Sequence, residues 1–96
     1  MPEWTFLTNH ALVLITLSGD PTMRLRDVAS HIDITERAVQ RIVADLEAGE
    51  YLSRTRVGRR NRYVINANQP FRHAAQRHRQ VGELLELLTS PANQTG

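Results

Sequence analysis

The sequence predicts a mainly α fold carrying one small β-hairpin, and three features predict it. Apolar residues recur at helical spacing in four stretches, and the second and third of these stand only about three residues apart. Two runs rich in β-branched and aromatic residues flank Gly58-Arg59-Arg60-Asn61, which has turn chemistry at both ends. At 96 residues and 41% hydrophobic content, the chain reads as one domain with a modest core, too small for a large enclosed active site.

The elements follow in order. Thr8 precedes residues 9–18, where Leu12, Ile15 and Ala11 recur at helical spacing, and Gly19 with Asp20-Pro21 supplies a stop and turn. A short extended piece is expected over residues 22–24. Leu25, Val28, Ala29 and Ile32 then repeat at i, i+3, i+4, i+7, a second helix of about two turns. Asp33-Ile34-Thr35 interrupts that period. Thr35 suits the cap of a third helix of about fourteen residues, with Glu36 beside the positive end of its dipole and Val39, Ile42, Val43 and Leu46 as its apolar stripe. Gly49 provides the stop.

Residues 51–57 and 62–65 make the two strands of the hairpin, with an arginine-loaded tip between them. Asn61 reads as a turn residue. Residues 66–69 break the pattern, and Pro70 stands where a first helical turn tolerates it. A last helix is expected over residues 70–88, with Phe71, Ala74, Ala75, His78, Val81, Leu84, Leu85 and Leu88 along one side. Its leucines exceed what one side of so small a domain buries. Phe71, Val81, Leu84, Leu85 and Leu88 are therefore expected to pair with a second subunit, making a homodimer. Residues 1–88 form the single domain and residues 89–96 a frayed polar tail, with no internal repeat and no low-complexity tract.

Charge is segregated along the chain. The formal net charge is +2, yet residues 1–50 carry four Arg against eight acids, while residues 51–82 carry eight Arg and no acid. All twelve cationic side chains are Arg, which suits forked contact with phosphates or guanine edges, although base composition of the genome is the better account of the absence of Lys. Composition does not explain the segregation of sign.

Helix, short strand, helix, turn, helix, strand, wing, strand, helix is the order of a winged helix-turn-helix domain. Between Leu25 and Ile65 the stretch LRDVASHIDITERAVQRIVADLEAGEYLSRTRVGRRNRYVI carries an LxxVA opening, an ITERAVQRIVADLE helix, a G-x-Y-L entry to the hairpin and a GRRNRY wing. It covers somewhat under half the chain and resembles the winged helix-turn-helix transcriptional regulators of the MarR and ArsR type. The resemblance implies double-stranded DNA as partner, Arg37, Gln40 and Arg41 in the position of base and phosphate readers, and dimerisation through terminal helices. The long extra helices of full MarR proteins and the cysteines of many ArsR metal sensors are missing.

The residues support this independently. With the stripe inward, the other side of the third helix shows Thr35, Glu36, Arg37, Gln40, Arg41 and Ala44 near its start; Arg forks onto guanine and Gln onto adenine in the major groove. Glu36 would repel phosphates, so it is either a dipole partner or a reader of cytosine N4. Arg54, Arg56, Arg59, Arg60 and Arg62 have no acid among them and repel one another unless a polyanion relieves the cost. Arg59 and Arg60 are expected to track the backbone or minor groove.

Other chemistries find little support. Without Cys there is neither a disulfide framework nor a thiolate metal site, and His10, His31, His73 and His78 share no ligand spacing. No cofactor is implied. Asp27, His31 and Asp33 lack a nucleophile beside them, so an enzyme is not expected. Single-strand binding would call for exposed aromatics among the arginines, and only Tyr51 and Tyr63 are available. No apolar run spans a membrane and the N-terminal stretch lacks the pattern of a signal peptide, so the expectation is a cytoplasmic protein. The rival reading is a winged helix used as a protein-interaction module. Trp4 and Phe6 read as a lid on the first helix or as part of a partner surface.

Overall fold

A computed structural model describes residues 4–89. Thr8 opens the first helix by accepting the Ala11 N–H at 3.2 Å, and α1 runs Asn9–Gly19. The buried face of α1 is Val13, Leu14 and Leu17, whereas Ala11, Leu12 and Ile15 are only half-buried. The expected face was displaced because the run from Ala11 to Leu17 is apolar almost all round. Its neighbours, the three other helices and the hairpin, choose which side goes in.

Helices α2, Leu25–Ile32, and α3, Glu36–Ala48, lie where the periodicity puts them. The turn between them closes with Asp33 in the left-handed region at φ 63°, a conformation Asp tolerates, and the Ile34 N–H donates to Ala29 O at 3.0 Å. Val39, Ile42, Val43 and Leu46 are all buried. At the far end of α3 the cap departs from expectation. Gly49 has φ −83°, and Glu50 takes the left-handed position at φ 65°. Tyr51 N–H reaches Leu46 O at 2.9 Å and Glu50 N–H reaches Glu47 O at 3.0 Å, a Schellman closure built on Glu50. Gly49 is small for another reason: a Cβ there would lie 3.1 Å from the Tyr51 ring.

Strands β1, Leu52–Val57, and β2, Arg60–Ile65, pair antiparallel from Leu52↔Ile65 to Val57↔Arg60. The turn is therefore Gly58-Arg59 alone, with Gly58 at φ 62°, the pattern of a type II′ hairpin. Arg60 and Asn61 are strand residues, so Asn61 is not part of the turn. Residues 22–24 form no strand, and the sheet of the described residues is two-stranded. The segment before α2 is nonetheless tied to the wing, through Tyr63 N–H to Pro21 O at 2.9 Å.

The largest departure is after the hairpin. No helix covers residues 70–80; the chain makes an isolated bridge between Pro70 and Gln80 and a single 3-10 turn, Ala74–Gln76, before α4 begins at Val81 and runs to Thr89. Long-range partners take the polar groups that a helix would need. The Tyr51 hydroxyl donates to Pro70 O at 2.6 Å, the Gln69 amide to Gly49 O at 2.9 Å, and Val81 N–H to Gln69 O at 2.9 Å. Arg72, Arg77 and Arg79 add mutual repulsion that no acid within the segment offsets. Of the tail expected to fray, Thr89 is helical and residues 90–96 lie outside the described residues.

The core gathers the buried faces of all four helices with Tyr51, Leu52 and Tyr63 at the root of the hairpin. No buried side chain among the described residues is charged. No helix among them is long and apolar enough to cross a membrane.

Candidate nucleic-acid interface

Burial of one stripe of α3 decides what the other side presents. Thr35 Oγ1 accepts the Ala38 N–H at 3.1 Å, so its hydroxyl starts the helix. Glu36, Arg37, Gln40, Arg41 and Ala44 are all exposed, as the periodicity requires. The Gln40 amide donates to Glu36 at 3.4 Å, a long contact that leaves its carbonyl oxygen available. Arg37 and Arg41, one turn apart, make no hydrogen bond or ion pair among the described residues.

The hairpin register spaces its arginines. Arg54 faces Tyr63, Arg56 faces Asn61, Arg62 faces Thr55 and Arg60 faces Val57, so no two arginines stand directly opposite. Three of the five are also engaged within the chain. Arg56 Nε donates to Gly58 O at 3.1 Å and so braces the turn, and Arg60 Nη1 donates to Thr22 O at 2.8 Å. Arg54 forks onto Glu47 of α3, with Nη2 at 2.8 Å and Nε at 3.2 Å from the carboxylate oxygens. That hydrogen bond, against a smaller opposing effect of burial, holds the Arg54 guanidinium above its ordinary pKa. Arg59 at the tip and Arg62 on the outer face are exposed and make no such contacts among the described residues.

An open, largely polar groove lies between wing and helix. Glu36 and Gln40 of α3 line one side, Arg54, Arg59, Arg60 and Asn61 of the wing the other, with residues 22–25 between them. Thr35, Arg37, Arg41, Arg56 and Arg62 are outside its lining. Sequence reading overlooked Arg24, which is exposed on this groove. It sits in the acid-rich half of the chain, but its place directly before the LxxVA opening was a usable signal. The pairing of Arg54 with Glu47 was overlooked too, since the acid comes from outside the arginine run.

The expected dimerisation stripe does not survive as a stripe. Val81 and Leu85 are buried in the chain's own core, and Phe71, half-buried, packs on that core from the loop. A stripe drawn for a helix starting at Pro70 put residues on one side that the loop separates. Leu84 is half-buried, while Leu88, 44% exposed, and Leu87, 73% exposed, face outward. Among the described residues no three His, Cys, Asp or Glu side chains cluster as a metal site would require.

Four helices with a two-stranded wing directly after the helix that follows the turn define a winged helix-turn-helix fold. Among solved structures, the transcriptional regulator PcaV from Streptomyces coelicolor, determined in complex with its natural ligand, shares this fold at a TM-score of 0.56 and 18% sequence identity. The match covers 95% of this chain and 65% of PcaV, so this chain spans just under two thirds of that protein's length. No protein-family model and no curated protein sequence matches the chain.

Proposed function

We propose that this chain binds double-stranded DNA in a sequence-specific manner as a small homodimeric transcriptional regulator. The start of α3 enters the major groove and the wing lies along the backbone and minor groove. One observation carries the reading: α3 and the wing flank a groove lined by Arg24 and Arg59, and these two, with Arg37 and Arg41 exposed on α3 outside that lining, have no acidic partner among the described residues. Arg37 and Arg41 reach base edges or phosphates, Gln40 offers an amide to adenine, and Glu36 beside it is placed to accept from cytosine N4. Arg59 and Arg62 meet phosphates. Arg54, Arg56 and Arg60 hold the wing in position.

Binding measured by fluorescence anisotropy across a salt series tests the proposal. Several phosphate contacts give a log-log slope of roughly −4 or steeper per dimer. Selection from a random duplex library should return a palindrome whose half-sites lie about one helical turn apart. A flat salt response overturns the reading and favours a protein partner.

A further inference from the structure

After the hairpin the chain makes an excursion that neither the core nor the groove between α3 and the wing uses. Its neck is closed by the bridge between Pro70 and Gln80, by Phe71 N–H to Arg79 O at 3.1 Å and by Val81 N–H to Gln69 O at 2.9 Å. Inside it, Gln76 N–H reaches His73 O and Arg79 N–H reaches Gln76 O, both at 2.9 Å, so local bonds hold the backbone in shape. Phe71 packs on the core, whereas residues 72–80 are all exposed. The side chains of Arg72 and Arg77 make no hydrogen bond or ion pair among the described residues. Arg79 pairs with Glu83 at 2.8 Å, and His73 Nδ1 accepts the Ala75 N–H at 3.0 Å, which leaves its Nε2 to donate.

We infer that residues 72–79 form a second polyanion site, which takes the phosphate backbone of a second DNA duplex while α3 and the wing hold the first. This second site rests on the DNA-binding reading above and adds to it. Position separates the two. The loop is fastened to the end of α3 by the Gln69 amide on Gly49 O and to the root of the hairpin by the Tyr51 hydroxyl on Pro70 O. Glu36 and the Gly58-Arg59 turn stand at the opposite ends of those same elements. At a helical rise of about 1.5 Å per residue the two ends of α3 are ~18 Å apart, and none of residues 70–80 lines the groove between α3 and the wing. Chemistry selects the partner. Arginine forks onto phosphate oxygens. Residues 72–79 include no Phe, Tyr or Trp on which an unpaired base would stack, and no large apolar side chain for the buried centre of a protein interface. Beyond one 3-10 turn there is neither a helix nor a paired ribbon to enter a groove, so the contact is with backbone and independent of sequence. A loop already ordered by its own hydrogen bonds loses little conformational freedom on contact.

Energy transfer between two labelled duplexes tests the bridge. The full chain is mixed with a donor-labelled duplex bearing the selected palindrome and an acceptor-labelled duplex of scrambled sequence; two scrambled duplexes serve if selection returns no preference. Transfer should appear with the parent chain. With Arg72→Gln and Arg77→Gln together, the acceptor duplex should bind the preloaded complex roughly tenfold or more weakly, with a salt slope shallower by about two. Anisotropy with the donor duplex alone should stay within about twofold of the parent. Should Arg72→Gln melt early, since Arg72 lies against Gly49, Arg77→Gln decides alone. Undiminished transfer in the variant assigns the bridge to paired reading surfaces and overturns the second site. Equal weakening toward the donor duplex places the loop on the first DNA face and overturns it as well. No transfer, with polyglutamate bound by the parent and not by the variant, assigns the loop to an acidic protein. No transfer beside salt-dependent binding of the donor duplex overturns the second site alone, whereas a chain that binds no duplex overturns both readings.

Discussion

Arg54 of β1 and Glu47 of α3 meet in a forked ion pair at 2.8 and 3.2 Å, with the guanidinium carbon 5.8 Å from the centre of the Tyr63 ring. The pair joins the wing to the helix that would read DNA, and it consumes a charge that the arginine run, read as sequence, offers outward. Both side chains are part-exposed, 40% and 30%, so a double-mutant cycle with Glu47→Gln and Arg54→Ala should give a coupling of only about 0.5–1 kcal/mol in urea unfolding. For DNA the effect is the larger one. Glu47→Gln frees Arg54 and should steepen the salt slope by about one, with affinity for any duplex rising.

Gly82 and Gly19 should respond oppositely to alanine. A Cβ at Gly82 would lie 2.7 Å from Ala67 O, a backbone atom that cannot swing aside, whereas one at Gly19 meets nothing within 4 Å. Gly82→Ala should cost about 1–3 kcal/mol as α4 is pushed from the loop. Gly19→Ala should be neutral or stabilising by up to about 1 kcal/mol. Denaturant midpoints of the two variants beside the parent check both.

Arg41 and Arg59 are expected to differ in kind. Arg41 is exposed next to buried Ile42 and Val43, so Arg41→Ala should leave thermal stability unchanged while removing about 1–3 kcal/mol of discrimination at one base pair. Arg59→Ala, at the tip of the wing, should weaken preferred and scrambled duplexes nearly alike. The measurement is a selected-sequence profile for each variant beside its melt. An unaltered profile for Arg41→Ala would demote that residue to a phosphate contact.

Glu83 makes stability depend on pH at the start of α4. Its carboxylate accepts the Gln80 N–H at 3.2 Å and Arg79 Nη1 at 2.8 Å, and these, the backbone bond first, hold its pKa below the ordinary carboxylate value. A depressed folded-state pKa means stability that is fully present above the unfolded value and is lost as pH falls through the folded one. The gap in Tm between the parent and Glu83→Gln should therefore be constant near neutrality and close in acid. A gap that widened on acidification would show that the carboxylate is not held in its charged form.

Within the span from Leu25 to Ile65 the sequence alone carried most of the answer, because there the information is local. The stripe of α3, its cap at Thr35 and the positive φ at Gly58 each involve residues within a few positions of one another, where periodicity and turn chemistry report directly. Exposure of Glu36, Arg37, Gln40 and Arg41 follows from the buried stripe. Tertiary structure decided the rest. Which side of the nearly all-apolar α1 is buried depends on three other helices and the hairpin. The Tyr51 hydroxyl reaches Pro70 across nineteen positions, and Arg54 finds its acid seven positions back in a different element. Residues 70–80 have a helical pattern in isolation, yet their polar groups bind partners no sequence window contains, and a helix worth only a few tenths of a kcal/mol per residue yields to them. The same long-range contacts determine which leucines of α4 the core consumes and which remain exposed.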